Sequence, residues 1–126
     1  AAPFLEEERE LLHSRDYTVA IKALTQERKW ESALAMLRAM RMQGFEPDVI
    51  NYNAAISACD RGEQWALSLR LLAEMREHDL KPDVISYSSA ISACGRSDQW
   101  QLSVGVLAIM QKQILEPNVI TYSAAI

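Results

Sequence analysis

The sequence predicts an all-α chain, an α-solenoid of stacked two-helix repeats. Three observations predict it. Gly and Pro are scarce, four of each in 126 residues, while Ala, Leu, Met, Glu and Arg are plentiful, a balance that favours helices. Landmark residues return at a step of thirty-five: Tyr at 17, 52, 87 and 122, Ile at 21, 56, 91 and 126, Trp at 30, 65 and 100, Leu at 37, 72 and 107, Met at 40, 75 and 110. Between 49–83 and 84–118, 18 of 35 residues are identical. Each period also holds two helical apolar patterns, and a lone hairpin of that kind cannot bury its apolar face, so neighbours must stack.

In chain order, residues 1–13 carry Glu6, Glu7, Glu8 and Glu10 against Arg9. They match no repeat and read as an acidic helical cap or linker. Repeats follow at 14–48, 49–83 and 84–118. In the middle one, Tyr52, Ala55, Ile56 and Cys59 keep helical spacing and predict a first helix over about Tyr52–Asp60. The residue before each Tyr is Asp16, Asn51, Ser86 or Thr121, all types whose side-chain oxygen caps a helix N-terminus. A second helix is expected over about Gln64–His78, its buried stripe formed by Trp65, Leu69, Leu72, Ala73 and Met75. Trp30, Trp65 and Trp100 then form a core ladder rather than a set of base-stacking rings, and the tyrosines are core as well. Pro82 ends the unit, because it cannot continue a helix and disfavours α for Lys81. Residues 119–126 open a fourth first helix whose Tyr122, Ala125 and Ile126 have no second helix to cover them. The chain also opens on Ala1 rather than Met, and the whole reads as part of a longer array.

Other function classes find little support. No apolar run approaches the roughly 20 residues of a membrane span. The formal charge is −4, and residues 1–13 alone contribute −3 of it; neither part is the basic footprint of a strong nucleic-acid binder. Cys59 and Cys94 lack clustered His partners, which argues for small buried side chains rather than a zinc site or disulfide. His13 and His78 share no context. There is no Gly-rich phosphate loop, no nucleophile–base pair and no metal box, so no catalytic residue, metal or cofactor is expected.

The stretches from Pro47, Pro82 and Pro117 read PDVINYN, PDVISYS and PNVITYS. The frame Pro-x-Val-Ile-x-Tyr holds, while its second and last letters vary. This frame, the 35-residue hairpin, the Met near the end of the second helix and the closing Pro-Asp resemble the pentatricopeptide repeat (PPR) family, with P-type repeats, over 14–126. Tetratricopeptide repeats differ, usually running to thirty-four residues with Trp early in the first helix.

The resemblance implies a right-handed superhelix and a non-catalytic, sequence-specific binder of single-stranded RNA in a mitochondrion or plastid, reading one base per repeat. By the family's pattern the base-reading pairs are Thr18 with Asp48 (G), Asn53 with Asp83 (U, or C), and Ser88 with Asn118 (A), implying 5′-G-U-A-3′. These are the letters that vary. Exchanging Asp for Asn turns an acceptor-only group into one that also donates, which is how a hydrogen-bond reader changes letter. Ile50, Ile85 and Ile120 would pack on base faces, and Arg61 and Arg96 would contact phosphate. The first repeat departs from the pattern with Arg15 and Gln26 at those two positions.

The alternative is a PPR-like scaffold, a structural subunit binding protein in a large organelle complex such as a ribosome or a photosynthetic or respiratory assembly. Ile109 and Ile114 replace Glu74 and Asp79 of the preceding repeat. Apolar residues on an outer, second-helix surface would suit a protein contact. Asp48, Asp83 and Asn118 also follow proline, and Pro-Asp and Pro-Asn are ordinary turn sequences.

Overall fold

The structure is a computed structural model and describes residues 14–113. They form six α-helices of 13 residues each: α1 Ser14–Gln26, α2 Trp30–Met42, α3 Val49–Arg61, α4 Trp65–Glu77, α5 Val84–Arg96 and α6 Trp100–Lys112. Successive first helices start at 14, 49 and 84. They pack on one another in the order α1–α3–α5, and each second helix lies against its own first helix, with α2 and α4 also against the first helix that follows. The fold is an α-solenoid with first helices in one layer and second helices in the other.

The helix starts differ from expectation. The first helices of the second and third hairpins begin three residues before the tyrosine, at Val49 and Val84. Their N-caps are Asp48 and Asp83, in extended conformation, with carboxylates accepting from the N–H of Asn51 and Ser86. Asn51 and Ser86 therefore sit inside the helix as the returning half of a capping box: their side chains accept from the N–H of Asp48 and Asp83 at 2.9 and 3.1 Å. The physical reason lies one residue earlier. Pro47 and Pro82 are buried, they fix their own φ and drive the residue before them out of the helical region. A helix can start only after that constraint ends.

The helix ends fall within one residue of expectation, α3 at Arg61 and α4 at Glu77, but proline is not what sets them. α4 stops at Glu77 because Asp79 adopts a left-handed φ of +60°. The Asp79 N–H returns to Arg76 O at 3.1 Å and the Leu80 N–H to Met75 O at 2.8 Å, a Schellman closure. The same closure is built at Arg28, Gly44, Glu63 and Asp98, all with positive φ. Pro82 serves the next helix's entry, not this one's exit.

The core runs along the first helices. Tyr17, Ile21, Tyr52, Ile56, Tyr87 and Ile91 are buried. α3 has neighbours on nearly every side and is buried around most of its circumference, Ala54, Ala55 and Ala58 keeping those approaches short. Cys59 and Cys94 are buried and unpaired; burial pushes the Cys59 thiol up to about 12 and raises Cys94 as well, so neither is a reactive thiolate.

On α4 the buried stripe is Ser68, Leu71, Leu72 and Met75, whereas Ala73 is exposed and Trp65 and Leu69 are half-buried. The stripe is rotated because α4 must face both α3 and α5. The tryptophan ladder is likewise partial. Trp30 is half-buried and lies over the end of α3, so close that a Cβ on Gly62 would meet its Cδ1 at 2.3 Å. Trp100 is 62% exposed. The tryptophans stand at the rim of the layer rather than in a continuous core ladder, and Trp30 takes its cover from Gly62 of the next hairpin.

Side chains link the second helices where their backbones do not meet. Arg38 of α2 donates to both Glu74 oxygens of α4 at 2.9 and 3.0 Å. The buried Tyr52 hydroxyl donates to Glu74 Oε2 at 3.0 Å and accepts from Arg41 Nη2 at 2.9 Å. Burial alone would raise the Glu74 carboxyl, but bonds from Arg38 and Tyr52 and the charges of Arg38 and Arg41 hold it below its ordinary value. One period on, Ala73 and Ile109 replace Arg38 and Glu74, and the buried Tyr87 hydroxyl has no hydrogen-bond partner among the described residues.

Candidate functional site

The first-helix layer carries a groove of about 440 Å³ where α1, α3 and α5 meet. From α3 it is lined by Ile50, Asn53, Ser57 and Arg61, from α1 by Lys22 and Gln26, and at the start of α5 by Asp83 and Ile85. Ile50 and Ile85 are 53% and 60% exposed. Two large aliphatic side chains are thus left open in the same groove as the polar residues Asn53 and Asp83.

The polar pair between them is fixed. Asn53 is 9% exposed, and its Nδ2 donates to Asp83 Oδ1 at 3.0 Å. The Ser86 hydroxyl donates to Asn53 Oδ1, and Ser86 N–H donates to the same Asp83 oxygen at 3.0 Å. A carboxylate only accepts, so the amide nitrogen, not its oxygen, must face Asp83. By valence one Nδ2 proton and one Oδ1 lone pair remain for a third party, a donor and an acceptor side by side.

The junction before it is wired differently. Asn51 Nδ2 donates to Thr18 Oγ1, while Asp48, exposed, binds the Asn51 backbone N–H at 3.0 Å. Thr18 is thus joined to the third residue of the next hairpin. Ser88 lies half-buried on α5. Asn118, Ile120 and Ile114 fall outside the described residues.

The two arginines have unlike surroundings. Arg61 is exposed and lines the groove. Arg96 Nε lies 3.2 Å from the Asp60 carboxylate of the preceding hairpin. Asp60 is 9% exposed and also accepts from the Ser92 hydroxyl at 3.1 Å. Burial raises its carboxyl despite the opposing pull of Arg96, Ser92 and Arg61. Ile109 occupies on α6 the place that Glu74 fills on α4 and is 41% exposed on the second-helix surface, as expected.

Sequence reasoning placed Gln26 at the position of Arg61 and Arg96, but missed Lys22 and the bracing by Asn51 and Ser86. The last two carried a signal: each stands three positions after the Asp that follows proline, the spacing of a capping box. Asn and Ser replace the usual Glu or Gln there, which hid it. Among the described residues no three His, Cys, Asp or Glu side chains gather as a metal site. What the groove offers chemically is hydrogen bonding and apolar contact.

The family profile described as pentatricopeptide repeat domain matches residues 12–62 and 66–126. The chain belongs to the pentatricopeptide repeat family. Among solved structures, the PPR protein PPR10 in complex with an 18-nt psaJ RNA element is 30% identical, with a TM-score of 0.83; the match covers 90% of this chain and 17% of that one. PPR10 from maize gives 31% identity and a TM-score of 0.80, over 90% and 16% of the two chains. The PPR domain of Arabidopsis thaliana protein-only RNase P 1, in complex with tRNA, matches with a TM-score of 0.82 at 14% identity, over 97% of this chain and 66% of that one; at that identity the likeness speaks for the PPR fold alone. This PPR chain therefore spans about a sixth of the PPR10 length. No curated protein matches it.

Proposed function

We propose that this PPR chain binds single-stranded RNA along the first-helix groove, one base to each hairpin. The observation that carries the reading is the Asn53–Asp83 pair, held at 3.0 Å between the exposed Ile50 and Ile85. A base seated between two aliphatic side chains would present its edge to the amide, which offers one donor and one acceptor. Uracil has both complements on its Watson–Crick edge. PPR10, a 30% identical relative, is solved with RNA bound, which supports the same use here. Thr18 with Asp48, Asn53 with Asp83, and Ser88 with Asn118 would read 5′-G-U-A-3′, with Ile50, Ile85 and Ile120 against the bases and Arg61 near phosphate. Arg96, engaged by Asp60, contributes less. A setting in a mitochondrion or plastid is part of the proposal and follows from family membership.

Magnitudes limit the affinity. Stacking on an aromatic ring is worth about 1–3 kcal/mol per base; isoleucine gives less, so three bases gain at most about 3–9 kcal/mol before ordering costs. Few cations line the groove, so the salt-dependent contribution is small. The test is a titration, by NMR or fluorescence polarisation, of the chain with short RNAs containing GUA or its scrambles. Asn53→Ser combined with Asp83→Asn should move the middle preference from U to A; an unchanged base profile defeats the reader assignment.

A second reading is a protein-binding scaffold. It draws on α6, which exposes Trp100, Leu102, Val104 and Ile109. Retention of a partner complex after RNase treatment, together with loss of that retention in Val104→Lys, would favour it.

A further inference from the structure

The readers are not two side chains but three, and the third belongs to the following hairpin. We infer that Ser86 is a positioning residue that sets the hydrogen-bonding polarity Asn53 presents to a base, and that Asn51 does the same for Thr18. The inference rests on the RNA-reading proposal and deepens it.

Ser86 is wholly buried and touches both reading residues. Its hydroxyl donates to Asn53 Oδ1, lies 3.0 Å from Asp83 Oδ1, and accepts from the Asp83 N–H at 3.1 Å. A hydroxyl has one proton to give. With the Asp83 N–H using a lone pair and Asp83 Oδ1 already holding the Ser86 N–H and the Asn53 amide, that proton is best placed on Asn53 Oδ1. The carboxamide is then held at both ends. Asp83 alone fixes which end is nitrogen, but one bond leaves the amide plane able to tilt; the second bond fixes the plane and so aims the remaining proton and lone pair into the groove.

The first junction shows that the group at this place changes the wiring. There Asn51, 1% exposed, gives an N–H to the reader Thr18 rather than an O–H, so the reader accepts from its brace through a hydroxyl instead of a carboxamide. Residues 51, 86 and 121 are Asn, Ser and Thr, polar in every case but different in what they give and take. A position needed only to close a capping box would not have to reach across to the preceding hairpin, yet both described ones do.

The test uses the whole chain with Ser86→Ala and Ser86→Thr. Asp83 still caps the Ser86 N–H in both, and Thr keeps the hydroxyl. Ser86→Ala should lower the preference for U over A at the middle base at least threefold and shift the Asn53 side-chain amide resonances in ¹H–¹⁵N spectra without RNA. Ser86→Thr should preserve both readouts. A Ser86→Ala chain with native base preference and native Asn53 resonances overturns the inference, as does a Ser86→Thr chain that behaves like the alanine variant. If the native chain binds no RNA, the RNA reading fails; the Asn53 resonances then decide alone, moved by Ala but not by Thr if Ser86 positions the amide, unmoved if it does not.

Discussion

Tyr52 and Tyr87 occupy the same place in successive hairpins, are equally buried, and differ in one respect. The Tyr52 hydroxyl sits between Arg41 and Glu74, and the Tyr87 hydroxyl has no partner among the described residues. An unmade buried hydrogen bond carries a desolvation penalty that a made one offsets. Tyr52→Phe should therefore cost about 1–2 kcal/mol, whereas Tyr87→Phe should be within about 0.5 kcal/mol of native or more stable, in urea melts followed by circular dichroism. That both tyrosines are core was legible from their period and spacing. The missing partner was also on the page, as Ile109 in place of Glu74, but only the structure shows that Glu74 reaches Tyr52. The caps were harder to read. Asp48 and Asn51, like Asp83 and Ser86, are all good capping types within one turn, and composition alone gives no reason to choose. The choice is made by Pro47 and Pro82, whose rings restrict the chain into an extended approach.

At the level of the helix, contact between hairpins decides which positions tolerate change. Gly62 ends α3 under the Trp30 ring, and an added methyl would fall 2.3 Å from Cδ1. The near part of a wedged indole cannot swing aside, so Gly62→Ala should destabilise by about 1–3 kcal/mol and alter the tryptophan emission of the folded chain. Gly105, inside α6, meets nothing within 4 Å. Gly105→Ala should stabilise by about 0.5–1 kcal/mol, in the same melts. The existence, order and ends of the helices were evident from the 35-residue period and its landmarks, yet the starts of α3 and α5 and the facing of α4 were not. Periodicity locates an apolar stripe relative to one partner, and α4 has two. The left-handed residues that end the helices, Arg28, Glu63, Asp79 and Asp98, are not types that announce such a turn, apart from the aspartates.

For the molecule as a whole, two buried carboxylates respond to pH in opposite senses. Glu74 is held below its ordinary 4.5, so its contribution is present above that pH and fades as pH falls through the lowered value. Asp60 is raised above 3.8, so the folded chain takes up a proton before the unfolded chain does, and its contribution declines as pH rises through the raised value. Between pH 3.5 and 6, roughly bracketing the ordinary carboxylate range, the stability of Asp60→Asn relative to native should climb and that of Glu74→Gln should fall. Thermal melts at several pH values read both; parallel curves would contradict the assignment. The architecture was the most legible level of all, because a step of thirty-five with two helices per step leaves few ways to cover the apolar faces. The groove pair Asn53 and Asp83 stood out in the sequence as varying letters, but their bond to Ser86 did not, since a bond across 33 residues such as Asn53 to Ser86 leaves no local trace.

Asn53 belongs to one hairpin, whereas Asp83 closes that hairpin and Ser86 opens the next, and all three are knotted together. Anyone splicing such modules into a new order will sever that knot by cutting at the proline. A segment running from inside α2 to inside α6 carries Asn53, Asp83 and Ser86 together, so the cassette worth transplanting straddles two hairpins.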